Sequence, residues 1–147
     1  MDNPLPILPG QQLARGTMRL MRAMGHAALT EFVPERGLRV DVMAVTGKGE
    51  VWIVECKSCR ADFLTDRKWQ GYLAFCDRYF WAVDAGFPRD LLPAGAGLIV
   101  ANAHDAEVLH LPEAQRLPAA RRARLLRDFA RAAAWRLQDR LDPGRML

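Results

Sequence analysis

The stretch Arg39–Ser58, RVDVMAVTGKGEVWIVECKS, reads as strand, glycine turn, strand. Gly47-Lys48-Gly49 is a turn signal, so Leu38–Thr46 and Glu50–Lys57 are expected to form a hairpin. Side chains alternate along a strand, so Glu55 and Lys57 project together while Cys56 points away into a core. The turn can bring Asp41 beside them. Val51, Trp52, Ile53 and Val54 make a nearly continuous apolar run, which suits a strand buried on both faces. Two carboxylates and an ammonium at the end of such a strand need partners, because burying an unpaired charge is costly. Holding a divalent metal against a phosphate is one task that would place them there. Solvated charges on a surface hairpin, or a structural ion-pair network, are the competing readings.

Working outward, Gln11–Ala28 has an apolar stripe at helical spacing (Leu13, Leu20, Met21, Met24, Ala28), and Gly25 weakens its end. Leu29–Pro34 is expected as a short strand stopped by Pro34 and Gly37, and Ser58–Thr65 as a polar link. A helix is expected over Asp66–Asp77, with Thr65 or Asp62 as its cap. Strands follow at Arg78–Val83, Gly97–Ala101 and Glu107–Leu111, with a loop over 84–96. A long helix spans Pro118–Leu141, with Leu126, Phe129, Ala133 and Leu137 as its packing stripe. The order predicts an α/β fold: a mixed central sheet flanked by helices and ending in a long helix.

The chain has 147 residues, half of them apolar and 26% charged, which suits one soluble domain over 11–147 after an extended lead-in at 1–10. No apolar run approaches the roughly 20 residues of a membrane span. MDNPLPILPG resembles neither a signal nor a transit peptide, so a cytoplasmic location is the expectation. Cys56, Cys59 and Cys76 are expected to be reduced, and zinc is disfavoured because Cys56-x-x-Cys59 has no second ligand pair. The charge is uneven. Nine arginines lie between Glu113 and Leu147 against Glu113, Asp128, Asp139 and Asp142, a footprint suited to a polyanion. Arg121, Arg124, Arg127 and Arg131 are the candidate DNA contacts, with a solvated arginine face as the alternative. The four tryptophans are scattered, most of them expected in the core, and no stacking platform for single strands is evident.

Val40-Asp41 with Glu55-Cys56-Lys57 resembles the PD-(D/E)XK nuclease superfamily. The longer VWIVECKSCRADFLTDRKWQGYLAFCDRYFWAV is similar to the MmcB family of bacterial DNA-repair proteins. That likeness covers about residues 11–135, and Asp62, Phe63, Asp66, Lys68, Trp69, Tyr72 and Asp77 match its pattern. The resemblance implies a restriction-endonuclease-like αβββαβ core and DNA phosphodiester hydrolysis with Mg2+ or Mn2+. Asp41, Glu55 and the Cys56 carbonyl would hold the metal, and Lys57 would orient or help deprotonate the attacking water. Lys68 and Tyr72, four apart on a helix, look like the Gln-x-x-x-Tyr of some superfamily nucleases; otherwise they are a solvated lysine and a core tyrosine. Asp62 and Asp66 would support the site or act as caps. Many members carry a further acid on the first helix, but Gln11–Leu29 contains none, and Glu31 is the nearest substitute. The alternative is a non-catalytic DNA-binding accessory module of the same fold. DNA is the expected partner, with other repair proteins or a second copy as further ones.

Overall fold

The computed structural model describes residues 7–65 and 69–144. Six strands lie side by side in sequence order, β1 (Ala27–Glu35), β2 (Leu38–Val45), β3 (Val51–Lys57), β4 (Arg78–Val83), β5 (Gly97–Ala101) and β6 (Ala106–His110). The β1–β2, β2–β3 and β5–β6 pairs are antiparallel, and β3–β4 and β4–β5 are parallel. The mixed α/β sheet is thus as expected. Helix α1 (Pro9–Ala23) packs on one face through Leu13 and Met21. The helices α2 (Arg60–Thr65) and α3 (Trp69–Tyr72) and the long α4 (Ala119–Leu141) cover the other, where Phe63, Trp69, Leu125 and Phe129 pack.

β3 is buried from Val51 to Cys56, as its apolar run requires, and Cys56 joins the α1 side of the core. The β2–β3 turn closes where Gly49 donates to the Thr46 carbonyl at 2.9 Å, with Gly49 at φ 84°, a left-handed conformation that glycine adopts freely.

Several boundaries differ from the sequence reading, each for a local reason. β1 runs through Pro34 to Glu35, because it is an edge strand and a proline there removes no ladder bond. α1 starts at Pro9 and ends at Ala23, not at 28; Gly25 at φ 80° turns the chain into β1. The expected link at 58–65 contains α2, where Asp62 Oδ2 accepts from Ser58 Oγ at 2.9 Å. Asp62 therefore closes the start of α2. The expected 66–77 helix is a short α3 continued by a 3₁₀ turn at Leu73–Phe75, and its first three residues lie outside the described ones. On α4, Leu125 is buried and Leu126, Phe129 and Ala132 pack beside it, whereas Leu137 is exposed. The packed stripe thus ends near Ala132, and Leu137 lies beyond it.

Two contacts lock the layers. A Cβ on Gly16 of α1 would stand 2.0 Å from the Asn102 carbonyl oxygen in the β5–β6 turn, so helix and turn meet backbone to backbone. On the other face, Asp77 is buried at the start of β4. Its carboxylate accepts from the Val51 amide at 2.7 Å, the Leu117 amide at 3.0 Å and both terminal nitrogens of Arg122 at 2.6 and 2.5 Å. Burial alone would raise this carboxyl, but the Arg122 guanidinium and the two amides hold it below the usual range. Arg122→Ala is expected to cost about 3 kcal/mol in chemical denaturation, because it leaves a bare buried charge. Asp77→Asn combined with Arg122→Ala should lose less than the two single changes together; simple additivity would contradict the ion-pair account.

Candidate functional site

The β2–β3 ladder pairs Val45 with Val51 through to Val42 with Val54. One step further, side chains take over from the backbone. Glu55 Oε1 accepts from the Asp41 amide at 3.0 Å, and Asp41 Oδ2 accepts from the Cys56 amide at 2.8 Å. The exchange is reciprocal: each acid closes an amide of the other strand and keeps a second oxygen outside these bonds. The two carboxyl groups are close enough to influence each other's charge.

The neighbouring strand is deformed at the same row. β1 and β2 pair Thr30 with Val42 and Phe32 with Val40, which sets Glu31 beside Asp41. Ala28, Val42 and Ala44 pack on the α1 side, but Phe32 and Val40 pack on the α4 side. Strict alternation would put Phe32 with Ala28, and Val40 with Val42. Both strands therefore switch faces at Glu31 and Asp41. Glu31 carries φ 51°, and a non-glycine residue costs about 1–2 kcal/mol in that left-handed region.

Electrostatics follow from this packing. Glu55 is 5% exposed. Burial, and then the negative charge of Asp41, push its carboxyl up to about 8. Burial also raises Asp41, against the opposing pull of the Cys56 amide, Glu55 and Lys57. Lys57, at the end of β3, lowers both acids through its charge. At neutral pH Glu55 therefore retains a proton within the pair. Such a pair suits a cation, whose charge would take over the proton's task with hard oxygen donors. Among the described residues, no three His, Cys, Asp or Glu side chains converge as a metal cluster. Any cation here would lean on the two carboxylates, a main-chain oxygen such as that of Cys56, and water.

Asp41 borders an open cavity of about 700 Å³ between α1 and the sheet. Glu31, Cys56, Ser58 and Asp62 share its lining, so the structure gathers three of the sequence-selected residues, Glu31, Cys56 and Asp62, around Asp41. Gln11 and Arg15 of α1 form the opposite wall. The sequence reading missed both as site residues; their i, i+4 spacing at the start of α1 is the signal that it carries. Tyr72 is buried, and its hydroxyl donates to the Arg39 carbonyl at 3.0 Å, so it steadies β2 two residues before Asp41. Lys68 and Asp66 lie outside the described residues. The α4 arginines are on the other side of the sheet. Arg121 donates to the Ala74 carbonyl at 3.0 Å, and Arg124 to the Pro34 carbonyl at 3.2 Å, so both help dock the helix; Arg127 and Arg131 are exposed.

A family model described as DNA repair protein MmcB-like matches residues 10–144. The chain belongs to the MmcB-like family. It is also similar to a solved structure from Silicibacter pomeroyi, a protein of unknown function, with 56% identity and a TM-score of 0.94 over 97% of this chain and 98% of that one. No curated protein matches. The Asp41–Glu55 exchange thus sits within the matched part of an MmcB-like DNA-repair protein. Among the described residues, no helix is long and apolar enough to cross a membrane.

The proton on Glu55 has a measurable consequence. Its ordinary value is 4.5, and the native value is about 8. Between those pH values the folded chain keeps a proton that the unfolded chain has lost. Stability of the metal-free protein should therefore fall as pH rises across this window and level off above it. Glu55→Gln, which keeps an acceptor for the Asp41 amide, should flatten that slope. Urea denaturation at three pH values within the window checks this, and equal slopes for the two proteins would refute the buried proton.

Proposed function

We propose that this MmcB-like protein hydrolyses DNA phosphodiester bonds during repair, with Mg2+ or Mn2+ held by Asp41 and Glu55. The observation that carries the reading is the reciprocal lock of two carboxyl groups on the strand amides, with Asp41 at the wall of an open cavity. The likeness of Asp41, Glu55 and Lys57 to the PD-(D/E)XK pattern supports it, as does the family's description as DNA-repair proteins.

Asp41 and Glu55 are the carboxylate ligands, pre-positioned by the amides that they close, and the Cys56 carbonyl is a further oxygen donor. A divalent ion held there would supply charge neutralisation on the phosphate and a more acidic water. Lys57 orients the attacking water, or meets the charge that develops on phosphorus. Arg15, on the facing wall of the cavity, is placed to bind a non-bridging phosphate oxygen. Lys68 contacts a neighbouring phosphate in this reading, while Ser58, Asp62 and Glu31 shape the site around the ligands. Arg127 and Arg131 add salt-sensitive, sequence-independent affinity.

A second reading is an accessory module that binds DNA without cutting it. It is favoured by the two-carboxylate donor set, since no third acidic, histidine or cysteine ligand joins among the described residues.

Labelled single-stranded, nicked, flapped and duplex DNA, incubated with Mg2+, Mn2+ or a chelator, separates the two. Metal-dependent cutting is expected, and Asp41→Ala and Lys57→Ala should each reduce it by about 100-fold or more. Tight, salt-sensitive binding without cutting would establish the accessory module. Folded protein that neither binds nor cuts would sink both readings.

A further inference from the structure

The second half of α4 runs along the β1 edge with a large aromatic side chain uncovered. Trp135 is 55% exposed, the only tryptophan among the exposed large apolar residues described. The Arg131 guanidinium lies over its ring, 4.8 Å from the centroid, which holds the indole in place and covers one face with positive charge. Beside it, a groove of about 410 Å³ runs between α4 and the edge strand β1. Phe32 and Val33 give its floor an apolar character, and Arg136, Asp128 and Glu31 complete the lining.

Three features narrow what this groove accepts. Arg136 already donates to the Thr30 and Glu31 carbonyls, at 2.6 and 3.2 Å, so this part of the β1 edge is closed to an added peptide strand. Asp128 is partly neutralised by Arg124 at 3.8 Å, which leaves the arginines of α4 in excess. Glu31 borders both this groove and the cavity that contains Asp41, so the two recesses adjoin around the β1 edge.

We propose that Trp135, steadied by Arg131, is a stacking platform for an unpaired base of a DNA strand whose phosphates run toward the Asp41 cavity. The inference rests on the DNA reading above and deepens it, because it assigns the substrate class: DNA with a single-stranded element next to the attacked bond. A flat π-surface beside arginines is what a base on a charged backbone recognises, and stacking of this kind tolerates any sequence.

Fluorescence anisotropy with a plain duplex, and with the same duplex carrying a single-stranded tail, tests the proposal. Chelator is present, so no cutting intervenes. The wild type should prefer the tailed DNA. Trp135→Ala should weaken tailed-DNA binding about tenfold, with little change for the duplex and an unchanged salt slope, because no phosphate contact is lost. Trp135→Phe should keep most of the preference. Thermal melting confirms that the exposed substitution leaves the fold intact.

Equal affinities of Trp135→Ala and wild type for the tailed DNA would overturn the platform. So would an equal loss on both DNAs, absence of any DNA binding, or a change of oligomeric state on removing the indole, which would mark a contact between copies. Cutting is scored separately with metal. Metal-dependent cutting without a tail preference sinks the platform alone. A Trp135-dependent preference without cutting leaves the platform standing and sinks the nuclease.

Discussion

Asp77 carries a full charge on a side chain that is 1% exposed, and the arrangement of the layers depends on how that charge is met. Arg122 reaches it from α4, Leu117 from the segment before that helix, and Val51 from the start of β3. The Asp77 amide in turn donates to the Val51 carbonyl, and its carbonyl accepts from Gln115. One residue thus fixes where β3 begins, where β4 begins beside it, and where α4 sets out. Arg78 extends the closure by pairing with Glu50 at 2.9 Å and donating to the Pro112 carbonyl. The cost of desolvating an ion is met here by complete hydrogen bonding, the condition under which a buried pair is tolerable.

The two ends of β3 are built on opposite principles. At Glu50–Val51 every charge has an opposite partner. At Asp41 and Glu55, like charges adjoin in a buried setting, and the balance is struck with a proton, backbone amides and the charge of Lys57. The first arrangement is inert and the second is poised, because a proton held by crowding is readily exchanged for another cation. The rigidity of the far end is what lets the near end keep that geometry.

How much of this was legible in sequence depends on whether the cause is local. The hairpin was, because glycine turns and an apolar run act over a few residues, and β4 and β5 fall at the expected residues for the same reason. Asp41, Glu55 and Lys57 were legible as a group because a two-stranded register brings them together. The edge position of β1, which admits Pro34, is a property of the whole sheet, and no local pattern carries it. Glu31 was singled out by elimination, yet its left-handed backbone follows from the joint change of face in β1 and β2. The α4 stripe was misplaced toward Leu137 because periodicity does not reveal where the packed stripe of a helix ends. Gln11 and Arg15 reach the cavity only through the packing of α1, a long-range contact.

Gly16 shows how far such a contact extends. The helix that carries Gln11 and Arg15 into the cavity is seated on the β5–β6 turn at backbone distance. That turn is itself rigid: the Asn102 side chain accepts from the His104 and Asp105 amides, both at 2.8 Å. The spacing between the cavity's two walls is therefore gauged by a turn in the opposite half of the sheet. A lengthened 102–105 turn, or a side chain at position 16, would act as a shim under α1, changing the bore of the cavity while leaving its acids untouched.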